Sequence, residues 1–336
     1  NSSSISDGAA ALVLMRRSTA DSLGLLAALL LAAGALAQSF PNRPITFTVP
    51  WSPGGGTDTT SRTLAAVLSQ SLGVNVNVVN RTGGGGVVGH LALAQSPSNG
   101  YVIGAITVEI TMMPHTGQTT LNYENYTPLG LMINNPSAVT VRADAPWNTL
   151  EELLDHIRAN PGQLQASGTA MGGIWDLARI GLLLAADIEP DAMPWVPSQG
   201  AAPAFQELLA GGVDVVTAAL AEAAALLAAG EVKVLGVMSP MRVGRFPDVP
   251  TLKELGYDWS IGGWAAVAAP AGLPAAEKQV LADAIEAAMA SPAFIDPLTA
   301  AGFTLQPMNA AEFAEFIKEQ HEVNGRLLEI AGVTGN

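Results

Sequence analysis

The stretch of sequence that decides the fold is Pro50-Trp51-Ser52-Pro53-Gly54-Gly55-Gly56-Thr57-Asp58. An alternating apolar run at residues 45–49 precedes it and is typical of a β-strand. Leucines four residues apart follow it, as on one face of a helix: Leu64, Leu68, Leu72. Thr57 or Asp58 is predicted to cap this helix. The stretch therefore indicates a strand, a glycine turn and a helix whose first-turn N–H groups favour an anion.

The same arrangement follows a second time. Residues 74–79 are predicted to form a strand, Asn80-Arg81-Thr82-Gly83-Gly84-Gly85-Gly86 forms a second glycine turn, and residues 87–94 begin a second helix. Because the carboxyl ends of parallel strands meet at one edge of a sheet, the two turns are expected to lie close together. Two such loops indicate a site for a carboxylate or a phosphate.

The N-terminal residues have the pattern of an export signal. Met15-Arg16-Arg17 is basic, residues 23–36 are apolar, and Ala37 ends an Ala-x-Ala cleavage motif. We expect residues 1–37 to be an upstream extension plus a signal peptide, with Met15 as the natural start and cleavage after Ala37. The alternative is a membrane anchor, for which the apolar run is short.

Composition narrows the class of protein. The chain has 336 residues, of which 49% are hydrophobic and 13% charged, enough for about two domains with a large core. The net charge of −14 argues against nucleic acid and anionic membranes as partners. With no cysteine and four isolated histidines, a disulfide framework, a metal site and any other cofactor are not expected.

Strand and helix patterns alternate along residues 38–336, which predicts an α/β protein with mainly parallel sheets and helices on both faces. The clearest helix start is Thr149-Leu150-Glu151-Glu152, a capping box. In such folds a ligand lies outside the carboxyl ends of the strands. Enzyme interpretations are weak, because the glycine turns lack the Lys-Ser/Thr of a P-loop and no nucleophile elbow is present. A hydrolase is the remote alternative.

Several motifs, taken in order and spacing, resemble those of a known family. They are Pro53-Gly54-Gly55-Gly56-Thr57-Asp58, the second glycine turn with Gly89, Asn99-Gly100-Tyr101, residues 208–214, residues 229–235, and residues 248–256. The chain resembles the solute-binding receptors of tripartite tricarboxylate transporters, the Bug or TctC family, through almost all of residues 38–336.

The resemblance implies a two-lobed, type II periplasmic-binding-protein clamshell, each lobe a mainly parallel sheet with helices on both faces. The first lobe is expected to hold residues 38–140 and 262–336, and the second lobe residues 141–261. Ligand carboxylates in the family meet backbone N–H groups and ordered waters in the glycine loops. Such neutral donors suit an anion bound by an acidic protein.

The candidate ligand-binding residues share a position after a predicted strand or before a predicted helix: Ser52, Gly54, Gly55, Gly56, Thr57, Gly84, Gly85, Gly86, Thr107, Val108, Thr169, Met171, Gly172, Gly200, Ala219. Asp58 is expected to be a cap, Arg81 to have a structural role and Glu109 to be solvated. Glu222 is either a site residue or a helix N-terminal charge.

Two loops of the second lobe depart from the pattern of the tricarboxylate branch. The first carries Ala170 and Trp175 where a serine and an aspartate are usual, and the second is Pro197-Ser198-Gln199-Gly200. Trp175 either enlarges the pocket with an apolar wall or belongs to the core. The identity of the acid is therefore left open by the sequence.

The functional expectation is a monomeric periplasmic receptor, not an enzyme, that captures an organic carboxylate. Tricarboxylates, dicarboxylates and aromatic acids are the classes considered. The resemblance implies delivery to a large and a small membrane permease subunit. The alternative is a periplasmic sensing subunit that presents the ligand-bound form to a signalling receptor.

Overall fold

The computed structural model describes residues 40–333. Contacts divide the chain into two units, residues 1–42 and residues 43–336. The predicted signal peptide lies outside the described residues, and residues 40–42 carry no helix or strand. Every helix within the described range is too short or too polar to cross a bilayer.

The strands of residues 43–333 are β1 (Ile45–Val49), β2 (Val76–Asn80), β3 (Val102–Thr107), β4 (Tyr126–Arg142), β5 (Ala166–Ser167), β6 (Trp195–Val196), β7 (Val215–Ala219), β8 (Val232–Val237), β9 (Gly262–Pro270) and β10 (Leu305–Met308). The α-helices are α1 (Gly56–Leu72), α2 (Val87–Ala94), α3 (Leu150–Ala159), α4 (Ile174–Ala185), α5 (Ala201–Ala210), α6 (Leu220–Ala228), α7 (Ala275–Met289), α8 (Pro292–Ala301) and α9 (Ala310–Ile330).

The strands lie in the order β2-β1-β3-β9-β4-β7-β5-β6, with β8 and β10 also paired to β4. On one side β1, β2 and β3 are parallel, and β9 runs antiparallel between β3 and β4. On the other side β5, β6 and β7 are parallel, and β4 runs antiparallel to β7. Each side thus contains three parallel strands, extended by antiparallel pairings that involve β4, β8, β9 and β10.

Strand β4 belongs to both sheets. Its first part, Tyr126 to Pro136, pairs with β9, whereas Ser137 to Arg142 pair with β7 and β8. We call the side that contains β1, β2, β3, β9 and β10 the first sheet, and the side with β5 to β8 the second sheet. The chain crosses between them inside β4 and again just before β9, where Ser137 N–H donates to the carbonyl of Ile261.

Buried apolar residues determine how the helices pack. Helix α3 begins at the predicted capping box, where Thr149 and Glu152 satisfy each other's backbone N–H groups, and it buries one face. Helix α4 is buried around its whole first half, including an ion pair between Asp176 and Arg179 at 2.7 Å. Arg179 also donates to the carbonyl of Met193, so that this buried charge has partners on both sides.

Helix α1 begins differently from the prediction. Its N-cap is Gly55, neither Thr57 nor Asp58, and the helix starts at Gly56. The reason is that Asp58, inside the first turn, accepts a hydrogen bond from the Gly54 N–H at 2.9 Å. The Asp58 carboxylate thus serves a loop donor that precedes the helix, and it does not cap the first-turn N–H groups.

Candidate functional site

The first glycine loop joins β1 to α1 and is held in place by Asp58. One carboxylate oxygen accepts from Gly54 N and Arg62 Nε, both at 2.9 Å, and the other accepts from Asn80 Nδ2 at 2.7 Å. Burial alone would raise the pKa of Asp58, but these three hydrogen bonds lower it overall. Asp58 is therefore committed to the loop, although it is not the helix N-cap that the sequence predicted.

The second glycine loop is tied to the end of β3 by His90, which is fully buried. His90 Nε2 accepts from the Thr107 N–H at 3.1 Å, so its Nδ1 carries the proton and donates to the Gly86 carbonyl at 2.8 Å. Burial lowers the pKa of His90 to about 4, and this histidine is neutral at physiological pH. The indole of Trp51 donates to the Thr107 hydroxyl at 3.2 Å and completes this network.

A cavity of about 50 Å³ lies where the carboxyl ends of the strands of the two sheets face each other. The structure brings together nine of the predicted residues around it: Ser52, Gly55, Gly56, Thr57, Thr107, Val108, Thr169, Gly200, Ala219. They come from the ends of β1, β3, β5, β6 and β7. The loops at these ends also touch across the cavity, since Ser52 N and Oγ both donate to the Gln199 carbonyl, at 3.3 and 3.1 Å.

The six other predicted residues lie elsewhere. Gly54 borders an adjoining apolar recess of about 190 Å³, and Gly84, Gly85 and Met171 line an outer groove of about 430 Å³. Gly86 packs under the Trp51 ring, which itself lines the cavity and stands between it and the second glycine loop. The N–H of Gly172 donates to Asp176 at 2.9 Å and shapes the turn before α4.

Sequence reasoning left Trp175 and Glu222 open and expected Glu109 to be solvated. It missed the rest of the cavity wall: Trp51, Ile133, Asn135, Ile174, Ala201, Gly263, Trp264, Ala265. Trp175 lines the cavity, which answers the question left open by the sequence, and its ring packs on Gly263. The residues of β9 carry no local motif, because they reach the site only through the insertion of β9 between β3 and β4. Only the strand order implied by the family resemblance could have placed these β9 residues at the site.

Glu109 is 5% exposed, so the expectation of a solvated side chain was wrong. Its Oε2 accepts from the Thr107 hydroxyl at 2.5 Å, and its carboxylate also accepts from the Ile174 N–H at the start of α4. Burial raises the pKa of Glu109 more than these hydrogen bonds lower it.

Glu222 reaches from α6 to the first glycine loop. Its Oε1 accepts from Gly56 N at 2.6 Å, and it also accepts from the N–H of Ala219 at the start of its own helix. Burial raises the pKa of Glu222, the two N–H groups lower it less, and the charge of Glu109 raises it further. A carboxylate of the protein thus occupies the donor that the sequence assigns to a ligand.

The chemistry of the cavity is that of a neutral donor site. Among the described residues no Lys, Arg or His lines it. Besides the backbone N–H groups at helix starts, the buried side-chain donors on its described wall that lack a partner are the Trp264 indole and the Thr169 hydroxyl. Within residues 40–333 no group of three or more His, Asp or Glu side chains is arranged to hold a metal ion.

Comparison with known proteins gives a consistent result. The family model described as "Tripartite tricarboxylate transporter family receptor" matches residues 60–333. A UPF0065 protein of Bordetella pertussis is 32% identical over 92% of this chain and 95% of its own length.

Two solved structures are similar to this chain. The periplasmic binding protein BugD is 28% identical, with a TM-score of 0.83 over 88% of this chain and all of its own. MatC from Rhodopseudomonas palustris, solved with bound malate, is 24% identical, with a TM-score of 0.80 over 86% of this chain and all of its own. The second likeness concerns the fold alone.

Proposed function

Since this chain belongs to the tripartite tricarboxylate transporter receptor family, whose members bind substrates and are not enzymes, we propose that it captures an organic carboxylate for a transporter of that type. The comparisons confirm two predictions made from the sequence: that the chain belongs to this family, and that it folds as a two-lobed clamshell. The proposal adds the class of ligand, a tricarboxylate, dicarboxylate or aromatic acid, and its delivery to a large and a small permease subunit.

The observation that carries the proposal is the contact between Gly56 N and the Glu222 carboxylate at 2.6 Å. The N–H lies at the first position of α1, where the helix dipole favours negative charge. A carboxylate fits this donor in both distance and direction, as Glu222 itself demonstrates. A ligand carboxylate would take the same donor once Glu222 moves aside.

We further propose that the nine predicted residues around the cavity contact the acid, together with Trp175 and Trp264 as an apolar wall. The second glycine loop and Met171 would then act at the outer groove, where a ligand enters. MatC, whose fold this chain shares, holds malate, which makes malate a reasonable first probe.

The division into lobes is proposed as predicted, with residues 38–140 and 262–336 in one lobe and residues 141–261 in the other. The change of pairing partner within β4, from β9 to β7 and β8 after Pro136, supports the first boundary. Members of the family are periplasmic, and export through residues 1–37 is the corresponding proposal for this chain.

Thermal-shift and calorimetric measurements with malate, citrate, benzoate and nicotinate test the proposed function. Binding to the folded state must raise the melting temperature. Gly56→Val should abolish this rise in melting temperature. Even a Cβ added at Gly56 would lie only 3.1 Å from the Glu222 carboxylate and from the Phe303 ring, and valine is larger. Gly244→Val is the matched control, since a Cβ there meets no atom within 4 Å.

A panel that leaves the melting temperature unchanged would contradict the proposal. If wild type and Gly56→Val bind an acid with equal affinity, the receptor function stands, but the first glycine loop does not contact the ligand. Circular dichroism establishes that the variant is folded before either conclusion is drawn.

A further inference from the structure

Two glutamates make reciprocal contacts across the cavity. Glu222 follows the second sheet and accepts from the N–H of Gly56, the first residue of α1. Glu109 follows the first sheet and accepts from the N–H of Ile174, the first residue of α4. Each side of the molecule therefore places a carboxylate on the helix start of the other side.

An acid that enters the cavity meets a specific electrostatic problem. The best anion donor is already used by Glu222, and no described cationic side chain lines the cavity to compensate for added negative charge. If the ligand carboxylate takes the Gly56 N–H, an ionised Glu222 would be left beside it in a partly buried site. Like charges at that separation repel strongly at low dielectric.

We propose that this receptor captures its acid together with one proton, which Glu222 holds while the acid's carboxylate occupies the Gly56 N–H. The inference rests on the proposed function and names how the same site neutralises its ligand. The protonated carboxyl of Glu222 then donates to the ligand instead of competing with it. The proton comes from solvent, and no covalent bond changes.

Other charged groups near Glu222 do not replace this proton. Glu109 is the charged group that acts on it across the cavity, and it raises the pKa of Glu222. Asp58 is bound to Gly54, Asn80 and Arg62. The remaining charges on the elements packed against α6 engage elsewhere or are exposed: Glu207 on α5, Lys233 on β8, Arg142 on β4, Asp296 on α8.

Glu222 is better suited to this role than Glu109. Glu109 is fixed by the Thr107 hydroxyl as well as by its backbone partners and is 5% exposed. Glu222 has backbone N–H partners and keeps more of its surface exposed, toward both the cavity and the adjoining apolar recess. It can therefore turn away from Gly56 N while staying within reach of a ligand at that position.

The test is calorimetry of the purified protein with malate and with benzoate between about pH 6.5 and pH 9.5, where both acids are ionised. The dissociation constant of the wild type should rise by up to about tenfold per pH unit once the pH exceeds the pKa of free Glu222. At a single pH, the observed binding enthalpy should differ between Tris and phosphate buffer, with the sign expected when the protein takes up a proton on binding.

Glu222→Gln carries a permanently neutral group of the same shape. It should bind the acids with an affinity that does not change over this pH range and without proton uptake. Glu207→Gln, on the neighbouring helix and exposed, is the matched control and should behave as the wild type does.

The outcomes separate the two proposals. If neither these acids nor the wider panel binds at any pH, the proposed function is wrong, and the proton inference falls with it. If wild type and Glu222→Gln both bind with no dependence on pH, the function stands and the proton inference is overturned. A folded Glu222→Gln protein that has lost all binding would overturn it as well, because a neutral group is then not sufficient.

Discussion

At the scale of single residues, burial shifts three ionisable groups of the site toward their neutral forms. His90 is neutral because it is buried and because its two nitrogens serve an acceptor and a donor role at once. Burial raises the pKa of Glu109 and of Glu222, which also favours their neutral forms. Burial therefore opposes the accumulation of charge in the cavity of this acidic protein.

His90 should make the fold sensitive to acid. Its pKa in the folded protein, about 4, lies below its ordinary value of 6.5, so the unfolded chain binds more protons between these two values. The folded state therefore keeps its full stability above pH 6.5 and loses stability as the pH falls toward about 4. The total loss in the free energy of unfolding is on the order of 3 kcal/mol. Urea unfolding at several pH values should show this loss, and His90→Gln should lack it. An equal acid sensitivity in the variant would assign the loss to other groups.

Glu109 should have the opposite effect. Its pKa is raised on folding, so the folded protein binds more protons than the unfolded chain, and stability falls as the pH rises above the ordinary value of 4.5. We expect Glu109→Gln to be more stable than the wild type at pH 8 and no more stable at pH 4, measured by urea unfolding. A less stable variant at pH 8 would show that the hydrogen bonds from Thr107 and Ile174 outweigh the cost of burial.

The residues of the site differ in how far the sequence could predict them. Gly55, Gly56 and Thr107 follow strands whose patterns are local, so their place at a strand end was predictable. Trp264 reaches the cavity because β9 pairs with strands more than 100 residues away, and no local pattern carries that information. Glu109 looked solvated because its burial depends on α4, which lies on the opposite side of the cavity.

At the scale of elements, helix α4 shows why local propensity is not sufficient. Its apolar residues continue around the helix, and Gly181 in its middle is the point of contact with Trp259. Glycine usually weakens a helix, so its presence here indicates close packing. Strand β10 shows the same limitation, because Leu305–Met308 lacks a clear alternation and was not predicted as a strand.

Gly181→Ala should therefore destabilise the protein, although alanine is the better helix former. A Cβ at this position would lie 2.1 Å from the Trp259 ring, and relief of the clash requires displacement of the indole. We expect a loss of about 1 to 3 kcal/mol in the free energy of unfolding. In a double-mutant cycle with Trp259→Leu, the alanine should cost less in the leucine background. An equal cost in both backgrounds would show that the indole is not the obstacle.

At the scale of the whole molecule, the two sides of the cavity contact each other directly. Ser52 donates twice to the Gln199 carbonyl, Gln118 Nε2 donates to the Met171 carbonyl, and Glu222 reaches Gly56. We expect ligand entry to break these contacts, because the same loops line the cavity and its outer groove. Opening of the clamshell is therefore part of binding.

A disulfide across the cavity should test this movement. A Cβ at Gly200 would lie 3.7 Å from the Ser52 Cβ, within the range of disulfides, and the chain has no cysteine of its own. Oxidised Ser52→Cys/Gly200→Cys should exchange labelled malate far more slowly than the reduced form or Ser52→Cys alone. Gly200 has φ +150, so some loss of stability is expected from the cysteine there. Equal exchange in the oxidised and reduced forms would mean that ligands pass without opening.

The placement of β9 has a consequence for the order in which the protein can be built. This strand fills the position between β3 and β4, yet it starts at Gly262. A nascent chain that has not yet reached that residue lacks the strand that joins its first three strands to β4. The first sheet therefore cannot be completed until most of the polypeptide has been synthesised. Pairings across such sequence distances also form slowly. In the export proposed above, such a delay would keep the chain unfolded until it meets the export machinery.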